Sequence, residues 1–166
     1  VLSKNIDNFF GWIKGAKLVE LKECNTQEDP VRPELDNNFR TGYGRKIYGV
    51  EYLGEIHAVM CFAYTNKVPK SVDELEKLST DAFLQSAMRD QSGGQIAIAY
   101  TVWSKKKGGG KLIVKEVFKK IKKSNHLNRL VTLSPLTDMA TKFHERNGAK
   151  LIQINETTQN FEYKVL

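Results

Sequence analysis

Residues 96–123 constrain the fold more tightly than any other part of the chain. Ile96-Ala97-Ile98-Ala99-Tyr100-Thr101-Val102-Trp103 is an almost unbroken apolar run, as expected of a strand covered on both faces. Ser104-Lys105-Lys106-Lys107-Gly108-Gly109-Gly110 follows. Lys111 then opens a segment whose Ile113, Val114, Val117, Phe118 and Ile121 share one helical stripe, with lysines on the other side. A strand running through glycines into a helix brings backbone N–H groups, unobstructed by Cβ atoms, to the positive end of a helix dipole. Such a unit is suited to an anion. Charge agrees: Lys105 to Lys123 holds nine lysines against one acid, Glu116, while the rest of the chain holds 17 basic and 18 acidic residues. The formal net charge of +7 therefore belongs to this loop and helix. The plainer alternative is a solvated lysine-rich face. If a partner is bound, it is a phosphorylated small molecule or nucleic acid. Nucleic acid is the less favoured of the two, because no aromatic strand motif or zinc-finger spacing accompanies the basic helix.

At 166 residues, the chain has the length of one domain, and 1–166 reads as a single unit without repeats or a long linker. It is too short for a TIM barrel, a two-half dinucleotide-binding enzyme or a protein kinase. No apolar run approaches the ~20 residues of a membrane span. Residues 1–7 are too polar for a signal peptide. Cys24 and Cys61 give neither a disulfide framework nor a zinc ribbon, so the expected compartment is a reducing cytoplasm. Three scattered histidines argue against a metal site.

The remaining pattern predicts a mixed α/β (α+β) domain. A helix is expected over 5–15, a strand over 18–21, and an irregular binding loop or lid over 23–46, where Pro30 and Pro33 fall. Strands over 47–53 and 56–64 are joined by a hairpin turn at Gly54-Glu55. Ser71-Val72-Asp73-Glu74 reads as a capping box, and further helix is expected over 80–89. A strand over 129–134 is expected to stop at Pro135. A helix over 136–147 should turn Leu136, Met139, Ala140 and Phe143 inward and end at Asn147-Gly148. Two strands near 150–154 and 161–165 close the chain.

The glycine loop fails two nucleotide-binding patterns. Gly110-Lys111 is followed by Leu112 instead of the hydroxyl residue of a Walker A loop, and Ile113 stands where a dinucleotide fingerprint needs a small residue. Lys105-Lys106-Lys107-Gly108-Gly109-Gly110 instead resembles the Gln/Arg-x-x-Gly-x-Gly/Ala loop of the GNAT acyltransferases, with lysine at the first position. Thr137 to Ala149 is similar to that family's Asn-x-x-Ala-x-x-Leu-Tyr-x-x-x-Gly-Phe segment: Ala140, Phe143 and Gly148 match, Thr137 replaces Asn and His144 replaces Tyr. This resemblance covers about residues 45–166. Ser134-Pro135 and Phe143-His144-Glu145-Arg146-Asn147-Gly148-Ala149 also resemble segments of malonyl-CoA decarboxylase, whose catalytic domain is GNAT-like; that likeness covers about 130–154.

The resemblance implies a GNAT-like domain, with a mainly antiparallel sheet flanked by helices, and transfer of an acyl group, acetyl first among them, from acetyl-CoA or another acyl-CoA cosubstrate to an amine acceptor. CoA phosphates are then expected on the amides of Lys107 to Lys111, including Gly108, Gly109 and Gly110, beside Ser104 and Lys105. Pantetheine is expected between the strand ending at Trp103 and the one ending at Ser134, with an amide near Val102 or Trp103 as oxyanion donor. His144 is the expected acid–base group, the alternative being a boundary histidine of the helix. Ser134 is its partner if the chemistry is decarboxylation, or else a residue that ends a strand and caps a helix. The other readings are a malonyl-CoA decarboxylase-like lyase and a non-catalytic module binding CoA or nucleic acid. His57 and His126 read as structural or surface groups. Phe39, Tyr43 and Tyr48 either line an acceptor pocket or pack the irregular loop.

Overall fold

The computed structural model describes residues 12–88 and 93–164. Residues 12–15 are helical; the rest of the helix expected over 5–15, and the end of the one expected to reach 89, lie outside the described residues. Eight strands form one open sheet: β1 (Lys17–Leu21), β2 (Lys46–Tyr52), β3 (Glu55–Thr65), β4 (Ile96–Ser104), β5 (Arg129–Thr132), β6 (Ser134–Pro135), β7 (Lys150–Ile154) and β8 (Thr158–Tyr163). Strands β1 to β4 are consecutive antiparallel neighbours. β5 joins β4 in parallel, and β8 runs antiparallel to β5, β6 and β7.

Besides the helical residues 12–15, four helices flank the sheet among the described residues: α1 (Asn37–Thr41), α2 (Val72–Met88), α3 (Gly109–Lys122) and α4 (Asp138–Arg146). The Ser71 hydroxyl caps α2 by accepting the Glu74 amide at 3.1 Å, and the two helical stretches expected there are one helix. The stripe of α3 packs Ile113, Val117 and Ile121 with Tyr48, Val50, Met60 and Phe62 on one face of the sheet. On the other face, Ile47, Cys61, Ile98, Tyr100 and Leu133 pack with Leu75 of α2 and with Leu35 and Phe39 of the 22–45 segment. Strand β4 is buried on both faces, as its composition predicts.

Four expectations need correction. The β2–β3 turn lies at Leu53-Gly54, whose φ values are 52° and 81°, one residue earlier than the expected pair. The irregular loop contains α1, capped by Asp36, which accepts the Phe39 amide at 2.8 Å. The strand over 129–134 does not stop at Pro135: it breaks at Leu133, and Ser134-Pro135 pairs with Gln159 and Thr158. Finally, α4 turns inward only part of the stripe expected of it: Phe143 packs on the core, whereas Met139 and, just before the helix, Leu136 do not. Met139 is 83% exposed and Leu136 also faces outward, while His144 is buried. The inward polar positions of α4 have partners, Tyr163 for His144 and Gln159 for Thr141, and this removes the cost of facing them inward.

Candidate functional site

The site is built where β4 meets α3 and where β4 parts from β5. Gly108 turns the chain with φ 85°, a left-handed conformation that side chains other than glycine resist. A Cβ on Gly109 would strike the Ser104 hydroxyl, and one on Gly110 would lie 2.9 Å from the Phe143 ring. The three glycines therefore serve a tight turn and close packing. Lys105 donates its amide to His57 O at 2.8 Å, Gly109 to Lys106 O at 2.9 Å, and Leu112 to Gly108 O at 3.0 Å. Among the described residues, no hydrogen bond engages the amides of Lys107, Gly108, Gly110 or Lys111. The Gly109 amide, expected to hold phosphate, is spent on Lys106 O, which leaves four donors at the start of a 14-residue helix to which an anion could bond.

The lysines divide into two groups. Lys105 pairs with Glu28 at 2.8 Å, and Lys106 lies over the rings of Trp12 and Tyr52 at 5.1 and 5.2 Å. Lys107 and Lys111 are exposed beside the free amides, with no ion pair among the described residues.

The gap between β4 and β5 begins deeper than the strand ends at Trp103 and Ser134 between which it is expected. Their parallel pairing ends at Ala99 opposite Thr132, and the last rung is Leu133 N to Ala99 O at 2.9 Å. The cause lies on the other edge of β4. Cys61 faces Thr101 while Phe62 faces Ala99, so Tyr100 is an extra residue, and such a bulge bends its strand away from the neighbour. Past the bulge, Trp103 lies opposite Val59, two residues before the Lys105 amide that bonds to β3. The alternation of an antiparallel ladder turns the Trp103 amide to β3 too, leaving the Val102 amide facing the gap.

Ser134 and His144 are both buried, on the sheet face that carries α3. The Ser134 hydroxyl bonds to Thr132 Oγ1 at 2.7 Å, and Thr132 Oγ1 in turn accepts the Phe161 amide at 3.0 Å. His144 stacks on Phe161, and its Nδ1 bonds to Tyr163 Oη at 2.8 Å. No hydrogen bond joins Ser134 to His144, and His144 Nε2 has no partner among the described residues. Burial lowers the His144 pKa to about 4, so the ring is neutral at pH 7, and burial raises that of Tyr163. A neutral imidazole held through Nδ1 presents Nε2 as a hydrogen-bond donor or acceptor instead of storing a proton. Thr137 caps α4, accepting the Ala140 amide at 3.2 Å, so the capping role open to Ser134 belongs to Thr137.

Sequence reasoning missed the hub of the 22–45 segment. The Asp29 carboxylate, fully buried, accepts from the amides of Val31 and Arg32, from Thr101 Oγ1 at 2.7 Å and from Arg40 Nη1 at 2.9 Å. Its partners Arg40 and Thr101 are 11 and 72 residues away in sequence, so no local pattern announces them. Beside this hub, a cleft of about 470 Å³ is lined by Glu23, Cys24, Glu28, His57, Trp103 and Lys105 among others. Among the described residues, the buried Trp103 indole N–H has no partner. Of the three aromatics expected near the loop, Phe39 packs edge-on against Tyr100, Tyr43 against Phe83, and Tyr48 against Phe62. Among the described residues, no cluster of His, Cys, Asp and Glu has the arrangement of a metal site, and no helix is long and apolar enough to cross a membrane.

No protein-family model and no curated protein sequence matches the chain. Solved structures do. A GNAT-like decarboxylase, GphF, in complex with isobutyryl-CoA superposes with a TM-score of 0.68 at 11% identity, covering 90% of this chain and 100% of that one. A Bacillus subtilis acetyltransferase in complex with CoA gives 0.59 at 10% identity, over 91% and 99%. Malonyl-CoA decarboxylase from Cupriavidus metallidurans gives 0.53 at 16% identity, covering 87% of this chain, which spans 38% of that protein. The shared feature at these identities is the fold, and it is the GNAT fold.

Proposed function

We propose that the protein is an acyl-CoA-dependent acyltransferase that moves an acyl group, acetyl in the simplest case, from a CoA thioester to an amine. The observation that carries this reading is the continuity of two features: the free amides of Lys107, Gly108, Gly110 and Lys111, and the gap that opens at Tyr100 on the same strand. Pyrophosphate on the amides and the 3′-phosphate near Lys107 or Lys111 leave the pantetheine arm to run along β4 towards Tyr100. The fold neighbours that hold CoA or isobutyryl-CoA support the same ligand class. An amine entering through the cleft edged by Glu23 and Glu28 attacks the thioester carbonyl, and the new oxyanion takes the Val102 amide as donor. As the C–S bond breaks, the amine proton passes to the thiolate. With His144 neutral, its part is to relay that proton through Nε2 with Tyr163 behind it, or to donate a hydrogen bond to the oxyanion.

Decarboxylation of a malonyl-type thioester is the second reading. It is favoured by the same neutral His144, since an enolate oxygen needs a hydrogen-bond donor and not an acid, and by the fold neighbours that are decarboxylases. An acyl-CoA panel read by mass spectrometry separates the two. Amine-dependent release of free CoA supports transfer, and amine-independent conversion of malonyl-CoA to acetyl-CoA supports the lyase. Salt-sensitive nucleic-acid binding without CoA affinity would replace both with a binding module.

A further inference from the structure

The first rung missing from the β4–β5 ladder is occupied by an arginine. A regular parallel ladder, after Leu133 N to Ala99 O, would return Leu133 O to the amide of Thr101. Thr101 instead pairs with Cys61 because of the Tyr100 bulge. Arg32 fills the vacancy: Nη2 donates to Leu133 O at 3.3 Å and Nε to Tyr100 O at 3.4 Å, so one guanidinium bridges the two diverging strands. It is held there because Asp29 accepts the Arg32 backbone amide at 3.0 Å.

Among the described residues, this guanidinium has no counter-ion in contact. Asp29 already accepts four hydrogen bonds and its ion pair is with Arg40; no carboxylate lies within ion-pair distance of Arg32 among the described residues. Of the five N–H donors of the guanidinium, the two bonded to carbonyls leave three without a partner among the described residues, including both on Nη1. Partial burial pushes its pKa down, against the fields of Glu34 and Asp29, so the charge is held at a cost that an anion would relieve. The planar fork matches a carboxylate in a two-bond pairing that a lysine could not reproduce. Tyr100 lies four residues, about 13 Å of strand, from Ser104, at the far end of the gap from the free amides proposed to hold phosphate. An acyl group would arrive at that depth.

We infer that Arg32 reads a carboxylate at the tip of the acyl group, so that the gap takes CoA thioesters of dicarboxylic acids. The inference rests on the acyl-CoA reading above and gives it a substrate class. It also bears on the reaction. Loss of CO2 moves the carboxylate charge onto the thioester oxygen, and a guanidinium bound to the carboxylate holds that charge in place, which slows the step. Transfer leaves the carboxylate untouched: the amine nitrogen bonds to the thioester carbon, the C–S bond breaks, and the nitrogen's proton ends on the CoA sulfur.

The test is competitive binding to the full chain of malonyl-, succinyl- and glutaryl-CoA against propionyl-, butyryl- and valeryl-CoA, with free CoA as reference. At least one dicarboxylic thioester should bind tenfold or more tightly than its uncharged counterpart. Arg32→Gln should abolish that ratio while changing free-CoA affinity less than twofold, and Arg32→Lys should keep part of it. The wild-type ratio stands as a test even where Arg32→Gln does not fold. Equal affinities within each pair overturn the inference, as does a preference that survives in folded Arg32→Gln. A preference for amino acids over their amides as acceptors of acetyl, lost in Arg32→Gln, overturns it by moving the carboxylate to the acceptor. If free CoA itself does not bind, the acyl-CoA reading fails first; if CoA binds without a carboxylate preference, only the assignment to Arg32 fails.

Discussion

His144 shows how a single side chain can match a motif and still change its expected chemistry. Its ordinary pKa near 6.5 suits acid–base work, but burial lowers it to about 4. A group whose pKa is depressed on folding stabilises the native state fully above its unfolded value and loses that contribution as pH falls through the folded one. Unfolding free energy should therefore fall between pH 6.5 and about 4, by on the order of 3 kcal/mol from this group, and His144→Gln should flatten the fall. Denaturant titrations at several pH values measure it; equal slopes in both proteins would mean that His144 titrates normally. In turnover, His144→Ala should reduce kcat by about 10²-fold with little change in KM if the ring acts in the chemical step. Full turnover would return the histidine to a structural role. Asp29 is the second decisive residue. Asp29→Asn leaves Arg40 buried without its ion pair, and the expected loss is about 3–5 kcal/mol by equilibrium unfolding. A loss below about 1 kcal/mol would contradict the hub.

At the scale of elements, the strand–loop–helix unit was legible because all its signals are local: an apolar run, three glycines and a 3.6-residue stripe lie within 28 residues. Other features depend on distant pairings. The break between β4 and β5 follows from a bulge at Tyr100 that only the register with β3 reveals, whereas the sequence offers the conspicuous but uninvolved Pro135. Helix α1 had a readable cap in Asp36, but two prolines just before it argued for irregularity. The outward turn of Met139 depends on partners for His144 and Thr141 that lie on β8. The loop's own test should avoid its glycines, since a side chain at 109 strikes Ser104. Lys107→Glu with Lys111→Glu changes only exposed groups and should weaken CoA binding tenfold or more, with a smaller effect on desphospho-CoA if the 3′-phosphate meets these lysines. Unchanged calorimetric affinities in the folded double variant would remove the lysines from the site.

For the whole molecule, the sheet explains why one ligand can be long. The free amides proposed to hold phosphate sit at the end of β4, the gap opens in its middle, and the segment anchored by Asp29 closes one face of that gap while α3 and α4 cover the other. A CoA thioester is proposed to span this path, from the amides of Lys107 to Lys111 down to Tyr100 and Leu133. Amide hydrogen exchange of the full chain with and without saturating acyl-CoA tests that directly. Slowed exchange is expected both at 107–111 and at 100–102, with little change along the lysine face of α3 at 115–123. No slowing at either place, or slowing confined to 115–123, would contradict it.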